Sequence, residues 1–174
     1  MSHAQPDTPS ARATLYEFAG GREALRRLAG IQYARCLTDP VLSEIFGTDG
    51  RPEHVDHLAD WLTEVLGGPK LYTERHGGHE ALLGHHADLR IDDVHRSRFV
   101  EVFVEALDAA GLPDDELFRR RLREYLDWGS RIAQEISQPG GGHVERPAGA
   151  GLGLGRAGRR ARLSAPGRCP ARVA

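Results

Sequence analysis

The chain is poor in sulfur: two cysteines, Cys36 and Cys169, and one methionine among 174 residues. The cysteines form no CxxC pair and are too few for a disulfide framework. That fits a reducing compartment, and a cytoplasmic location is expected. No run approaches the roughly 18 apolar residues needed to span a bilayer. The opening stretch, MSHAQPDTPSARAT, lacks the apolar centre of a signal peptide. GxSxG, HExxH and a glycine-rich phosphate loop after a strand are all missing. Their absence argues against the common serine hydrolases, zinc proteases and nucleotide sites. No strand-like alternation and no internal repeat can be found.

Charge is nearly balanced overall, at −2, but not along the chain. Residues 139–174 carry seven arginines and one acid, about +6, which leaves residues 1–138 at −8. An acidic body is a poor nucleic-acid binder, and no nucleic-acid or membrane partner is expected. The tail is rich in glycine, proline and arginine and has no aromatic residue. Too little apolar surface is available there to offset chain entropy, so disorder is expected. Residues 1–13 read as a flexible arm and residues 14–138 as one domain, all-α in class.

Between the ends the apolar spacing is helical. Leu25, Leu28, Gln32, Tyr33 and Cys36 share one stripe, which Thr38-Asp39-Pro40 ends. Pro40 suits the first turn of a short helix over PVLSEIF. A second stripe holds Val55, Leu58, Ala59, Leu62, Val65 and Leu66 and stops at Gly67-Gly68-Pro69. A third follows Asp92-Asp93, with Phe99, Val100, Phe103, Ala106 and Leu107. The last runs from Phe118 through Leu122, Tyr125, Leu126 and Ile132 to Ile136.

A helical core needs only aliphatic residues, and this one has more. Tyr33 lies on an apolar face, His54 one turn before Leu58, and His86 one turn after Leu82. A lone histidine on a stripe is usually a surface or hydrogen-bonded residue, and a lone tyrosine is usually core. Structural zinc would want four close ligands, commonly with cysteine; RHGGH offers only His76 and His79 in a glycine-rich loop.

Several segments in order carry a resemblance: LYEFAGGREALRRLAGIQYARCLTDPVLSEIF, HVDHLADWLTEVLGGPKLYTE, HHADLRI and DDVHRSRFVEVFVEALDAAGLPDD. Together, over about residues 15–137, they resemble the truncated haemoglobins, most of all the second group. The more specific pieces are Gly20-Gly21, the GGPxxY stretch from Gly67 to Tyr72, and His-Ala-x-Leu-Arg-Ile at 86–91. The resemblance implies a truncated globin-like two-over-two helical sandwich around haem b. It implies His86 as the iron ligand, with His85 a neighbour turned away. It also implies Tyr33, Phe46, His54 and Leu58 on the ligand side. Apolar walls would come from Leu58, Leu62, Leu66, Leu83, Leu89, Phe46 and Phe103. Lys70 and Arg90 would meet the propionates, with Tyr72 as a donor. One position departs from the group: many members carry tryptophan near the start of the penultimate helix, where this chain has Phe99.

The implied ligands are O2, NO and CO. NO dioxygenase or peroxidase-like turnover would need a separate reductase, since the chain has no flavin or nicotinamide module. A gas or redox sensor acting through a partner protein is the alternative, and a haem-free helical adaptor a third. Deleting residues 140–174 is expected to leave haem content and melting temperature nearly unchanged. A marked fall in melting temperature on thermal unfolding would show that the tail docks on the body.

Overall fold

A computed structural model describes residues 13–140; the readings made for the N-terminal arm and for most of the tail lie outside them. Eight helices and no strand occur among the described residues. They are α1 (Leu15–Phe18), α2 (Gly21–Thr38), α3 (Ser43–Phe46), α4 (Pro52–Val65), α5 (Leu71–His76), α6 (Gly78–His86), α7 (Asp93–Ala109) and α8 (Glu116–Ile136). No helix among these residues is long and apolar enough to cross a membrane.

The helix ends follow local chemistry. Thr14 accepts from the Glu17 N–H while Glu17 reaches back to the Thr14 N–H, a reciprocal cap on α1. Asp92 caps α7 through the His95 N–H at 2.9 Å, and Asp115 caps α8 through the Phe118 N–H at 2.8 Å. Pro52 opens α4, where its missing N–H costs nothing. The GGP stretch after α4 needs both glycines. Gly67 sits at φ 94°, and a Cβ on Gly68 would lie 2.7 Å from the Thr63 carbonyl and 2.8 Å from the Tyr16 ring.

The Asp39 carboxylate accepts from the Val41 and Leu42 N–H groups, and the Asp39 carbonyl accepts the Ser43 N–H at 2.9 Å, so Asp39 caps a turn that Pro40 opens and that runs into α3 at Ser43. One expectation changes. The RHGGH loop is instead the junction of two helices. Gly77 and Gly78, at φ 81° and 68°, turn α5 directly into α6, so that His76 ends one and His79 lies in the next.

Helix α2 packs on α4 and α7, and α7 packs on α8. The main core lies among them: Leu25, Leu28, Leu62, Leu66, Phe103, Leu107, Phe118 and Leu122 are fully enclosed. A smaller cluster of Cys36, Leu42 and Val102 sits under the α3 turn, and burial pushes the Cys36 thiol up to about 12.

One carboxylate ties three helices. Asp60 of α4, with 2 % of its side chain exposed, accepts from Arg22 Nε of α2 at 2.7 Å. From α5 it meets Arg75 at 3.3 Å and His76 Nε2 at 3.0 Å. Burial alone would raise its pKa, but the hydrogen bonds from His76 and Arg22 outweigh it and hold the carboxyl below its ordinary range. A depressed carboxylate stabilises the fold fully above the unfolded value of about 4, and that contribution fades as pH falls through the folded value. Asp60→Asn is therefore expected to cost about 2–3 kcal/mol at neutral pH and to flatten the stability loss below about pH 4. Chemical denaturation at pH 7 and pH 3 reads both; equal loss at both values would place the effect elsewhere.

Candidate functional site

Four elements bring aromatic side chains together around Tyr33. It stands on α2 with 5 % exposure. His54, in the first turn of α4, stacks on its ring at a centroid distance of 4.6 Å and an angle of 18°. Phe46, ending α3, meets both edge-on, at 6.2 Å from Tyr33 and 5.7 Å from His54. Phe99 of α7 lies parallel to Phe46 at 6.3 Å and touches Phe103 at 6.1 Å. The Asp39 turn sets the position of Phe46, and Arg98 Nε clamps that turn to α7 through Asp39 at 2.7 Å.

The polar atoms of this group are committed in one direction. The Tyr33 hydroxyl accepts the Arg51 backbone N–H at 2.9 Å, which leaves its own proton free to be donated. No hydrogen bond engages the His54 ring among the described residues. Burial first, then the charges of His57, His86, Arg51 and His85, push its pKa below the ordinary value, so it is neutral at pH 7.

His86 closes α6, half-buried. Its Nδ1 lies 2.8 Å from the Leu82 carbonyl oxygen, one turn back. A carbonyl only accepts, so Nδ1 carries the proton and Nε2 keeps a free lone pair. Burial holds the imidazole below its ordinary pKa, the bond to Leu82 opposing in part. The chain after it is strained: Asp88 and Arg90 take φ values of 61° and 55° without being glycine. The end of α8 secures it. The Ser137 carbonyl accepts the Arg90 N–H, the Ser137 hydroxyl accepts the Ile91 N–H, and Gln138 donates to the Ile91 carbonyl.

The remaining sequence-predicted residues divide. Leu58, Leu83 and Leu89 are half-buried apolar side chains. Leu62, Leu66 and Phe103 are fully enclosed in the main core. Lys70 and Arg90 are exposed. Tyr72, 4 % exposed, packs on His76 at 5.3 Å. His85 is exposed and turned to His57, at 6.2 Å, and His57 meets His76 at 4.2 Å. No group of three ligand side chains among the described residues is arranged to hold a bare metal ion.

Sequence reasoning missed Asp60, Ser137, Arg98 and the Arg51 N–H. Asp60 lies off the apolar stripe of α4, in the row of Asp56, His57, Thr63 and Glu64, so the spacing gave no signal of its burial. The Arg51 N–H is a backbone group and leaves no trace in residue type, and Ser137 acts through its hydroxyl as well as its carbonyl.

Comparison with known proteins bears on the family and the fold. The bacterial-like globin family matches residues 14–126. A group 2 truncated haemoglobin of Bacillus subtilis is 33 % identical over 106 residues, 61 % of this chain and 74 % of that protein. Among solved structures, the haemoglobin of Chloroflexus aurantiacus superposes with a TM-score of 0.60 at 33 % identity, covering 69 % of this chain and 96 % of that one. The truncated oxygen-avid haemoglobin of Bacillus subtilis gives 0.61 at 32 %, covering 69 % and 98 %. A group II truncated haemoglobin of Bacillus anthracis gives 0.63 at 28 %, covering 72 % and 92 %. The chain belongs to the bacterial-like globin family, as a truncated haemoglobin of the second group.

Proposed function

We propose that the chain binds haem b through His86 Nε2 and holds a diatomic gas, O2 or NO, on the side of Tyr33 and His54. The observation that carries this reading is the His86 imidazole: neutral, half-buried, with Nδ1 committed to Leu82 and Nε2 free. That is the state an imidazole needs to ligate iron. The surroundings fit the group. Phe46, Leu58, Leu83, Leu89 and Phe99 present apolar surface that the protein itself only half covers, and a porphyrin is apolar over most of its face. Bound there, the iron would supply the coordination position for the gas.

The chain's own residues do the rest. His86 would hold the iron through Nε2, with the Leu82 carbonyl fixing its tautomer and ring plane. Tyr33 offers a proton from a rigid helix, its oxygen steadied by the Arg51 N–H. His54, neutral and stacked on Tyr33, offers a second donor or moves aside as a gate. Phe46 and Phe99 exclude water from the same space. Lys70 and Arg90, exposed at the rim, suit the propionates. Turnover as an NO dioxygenase or peroxidase would draw electrons from a separate reductase. In the alternative sensor reading, ligand binding moves α6, whose exit is held under strain by Ser137.

The axial bond is tested by two neighbouring variants. His86→Ala is expected to lose or greatly weaken haem uptake, while His85→Ala keeps a normal Soret band, both read by absorbance of the reconstituted protein. A swap of the two phenotypes would move the ligand by one residue.

The opposite side is tested by stopped-flow dissociation of O2 and CO. A hydrogen bond to a strongly polarised acceptor contributes roughly 1.5–3 kcal/mol. Tyr33→Phe is therefore expected to speed O2 release by about one to two powers of ten, since about 1.4 kcal/mol is a factor of ten. CO, a poorer acceptor, should change less, and His54→Leu should act more weakly on both. Equal acceleration of both gases would make the role of Tyr33 steric.

A further inference from the structure

Three aromatic rings run in line from α4 to the surface of α8. Trp61 lies 5.8 Å from Tyr125, centroid to centroid, and Tyr125 lies 5.5 Å from Trp128. Trp61 comes three residues after Leu58 and seven after His54, which puts all three on one face of α4. It is half-buried and packs on the main core, as Leu58 and Phe99 also do. Trp128 is 37 % exposed, one of two large apolar side chains so exposed among the described residues. The inner end of the series thus stands on the face that carries the proposed site, and the outer end reaches water.

Trp61 and Tyr125 are only half-buried, and an indole 37 % exposed at position 128 contributes little to packing, where a polar side chain is the usual occupant. What indole and phenol share, and aliphatic residues lack, is the ability to give up one electron and recover it. Electron transfer falls steeply with distance, and neighbouring rings here are in near contact.

We propose that Trp128 is a surface oxidation site, at which one-electron donors too bulky to enter the pocket are oxidised, with Tyr125 and Trp61 carrying the electron inward. The proposal rests on the haem reading above and names hydrogen peroxide as the oxidant. In each transfer an electron leaves the donor for Trp128 and passes through Tyr125 to Trp61. The Tyr125 phenol proton leaves when that ring is oxidised and returns when it is reduced. No ring is changed at the end. With ferrocyanide as donor, one hydrogen peroxide, two ferrocyanide ions and two protons give two water molecules and two ferricyanide ions. The O–O bond breaks, and its two oxygens take up the two electrons and two protons.

The test uses the full chain loaded with haem and checked by its Soret band. Peroxide is added with a nitroso spin trap, and mass spectrometry locates the adduct; ferrocyanide oxidation is followed separately. The wild type is expected to carry the adduct on Trp128. Trp128→Phe should shift it to Tyr125 and lose most of the ferrocyanide rate. Tyr125→Phe should lose the Trp128 adduct although that indole is still present. Trp128→Tyr, which restores an oxidisable ring, should recover the rate. An adduct on Trp128 that survives in Tyr125→Phe, or an unchanged ferrocyanide rate in Trp128→Phe, overturns the proposal while a normal Soret band leaves the haem reading standing. Absence of the Soret band in the wild type overturns both.

Discussion

The Leu82 carbonyl accepts a hydrogen bond from His86 Nδ1 at 2.8 Å, and the proposed chemistry depends on that contact. A histidine has two nitrogens and, when neutral, one proton. Fixing that proton on Nδ1 decides that Nε2 is a base, and the last turn of α6 decides where it points. The pairing is local, a residue and the carbonyl four before it, so it forms whenever the helix forms. Burial then keeps the ring neutral. What the helix cannot supply is a fixed exit. The left-handed backbone at Asp88 and Arg90 is held by α8 through Ser137, so the placement of His86 depends on the end of the chain's last described helix.

The other side depends on a longer-range constraint. Helix α4 carries His54 and Leu58, and its register against α2 sets the stacking of His54 on Tyr33. Asp60 pins that register, taking Arg22 from α2 while drawing α5 in through Arg75 and His76. A carboxylate so enclosed is costly to desolvate and justifies itself only with several donors. Here it has three, and they come from both neighbours of α4. The same group therefore orients the helix of the gate and the helix that leads into α6.

Much of this was legible in the sequence, for identifiable reasons. The long helices α2, α4, α7 and α8 were plain because amphipathic spacing repeats over many residues. The choice of His86 over His85 followed from the HADLRI match, and the structure turns the two imidazoles in different directions. Short elements were less legible. The turn that Asp39 caps before α3 is too short to show a periodicity, and a glycine pair that reads as a loop is a sharp helix-to-helix joint. Tyr72, expected as a donor because its motif matched, lies with its ring against His76.

Phe99 alters the balance of the ligand side. A tryptophan there would add an N–H donor; phenylalanine adds none and stacks flat on Phe46 instead. The space bounded by Phe46 and Phe99 is thus apolar on the α3 and α7 sides and polar only toward Tyr33 and His54. Those two donors are not equivalent. The Tyr33 oxygen is steadied by a backbone N–H, and its ring is enclosed; the His54 ring has no hydrogen-bond partner among the described residues. In the proposed site, the hydrogen-bonding capacity toward a gas therefore falls on two stacked rings, Tyr33 and His54, of which only Tyr33 is itself anchored by a hydrogen bond.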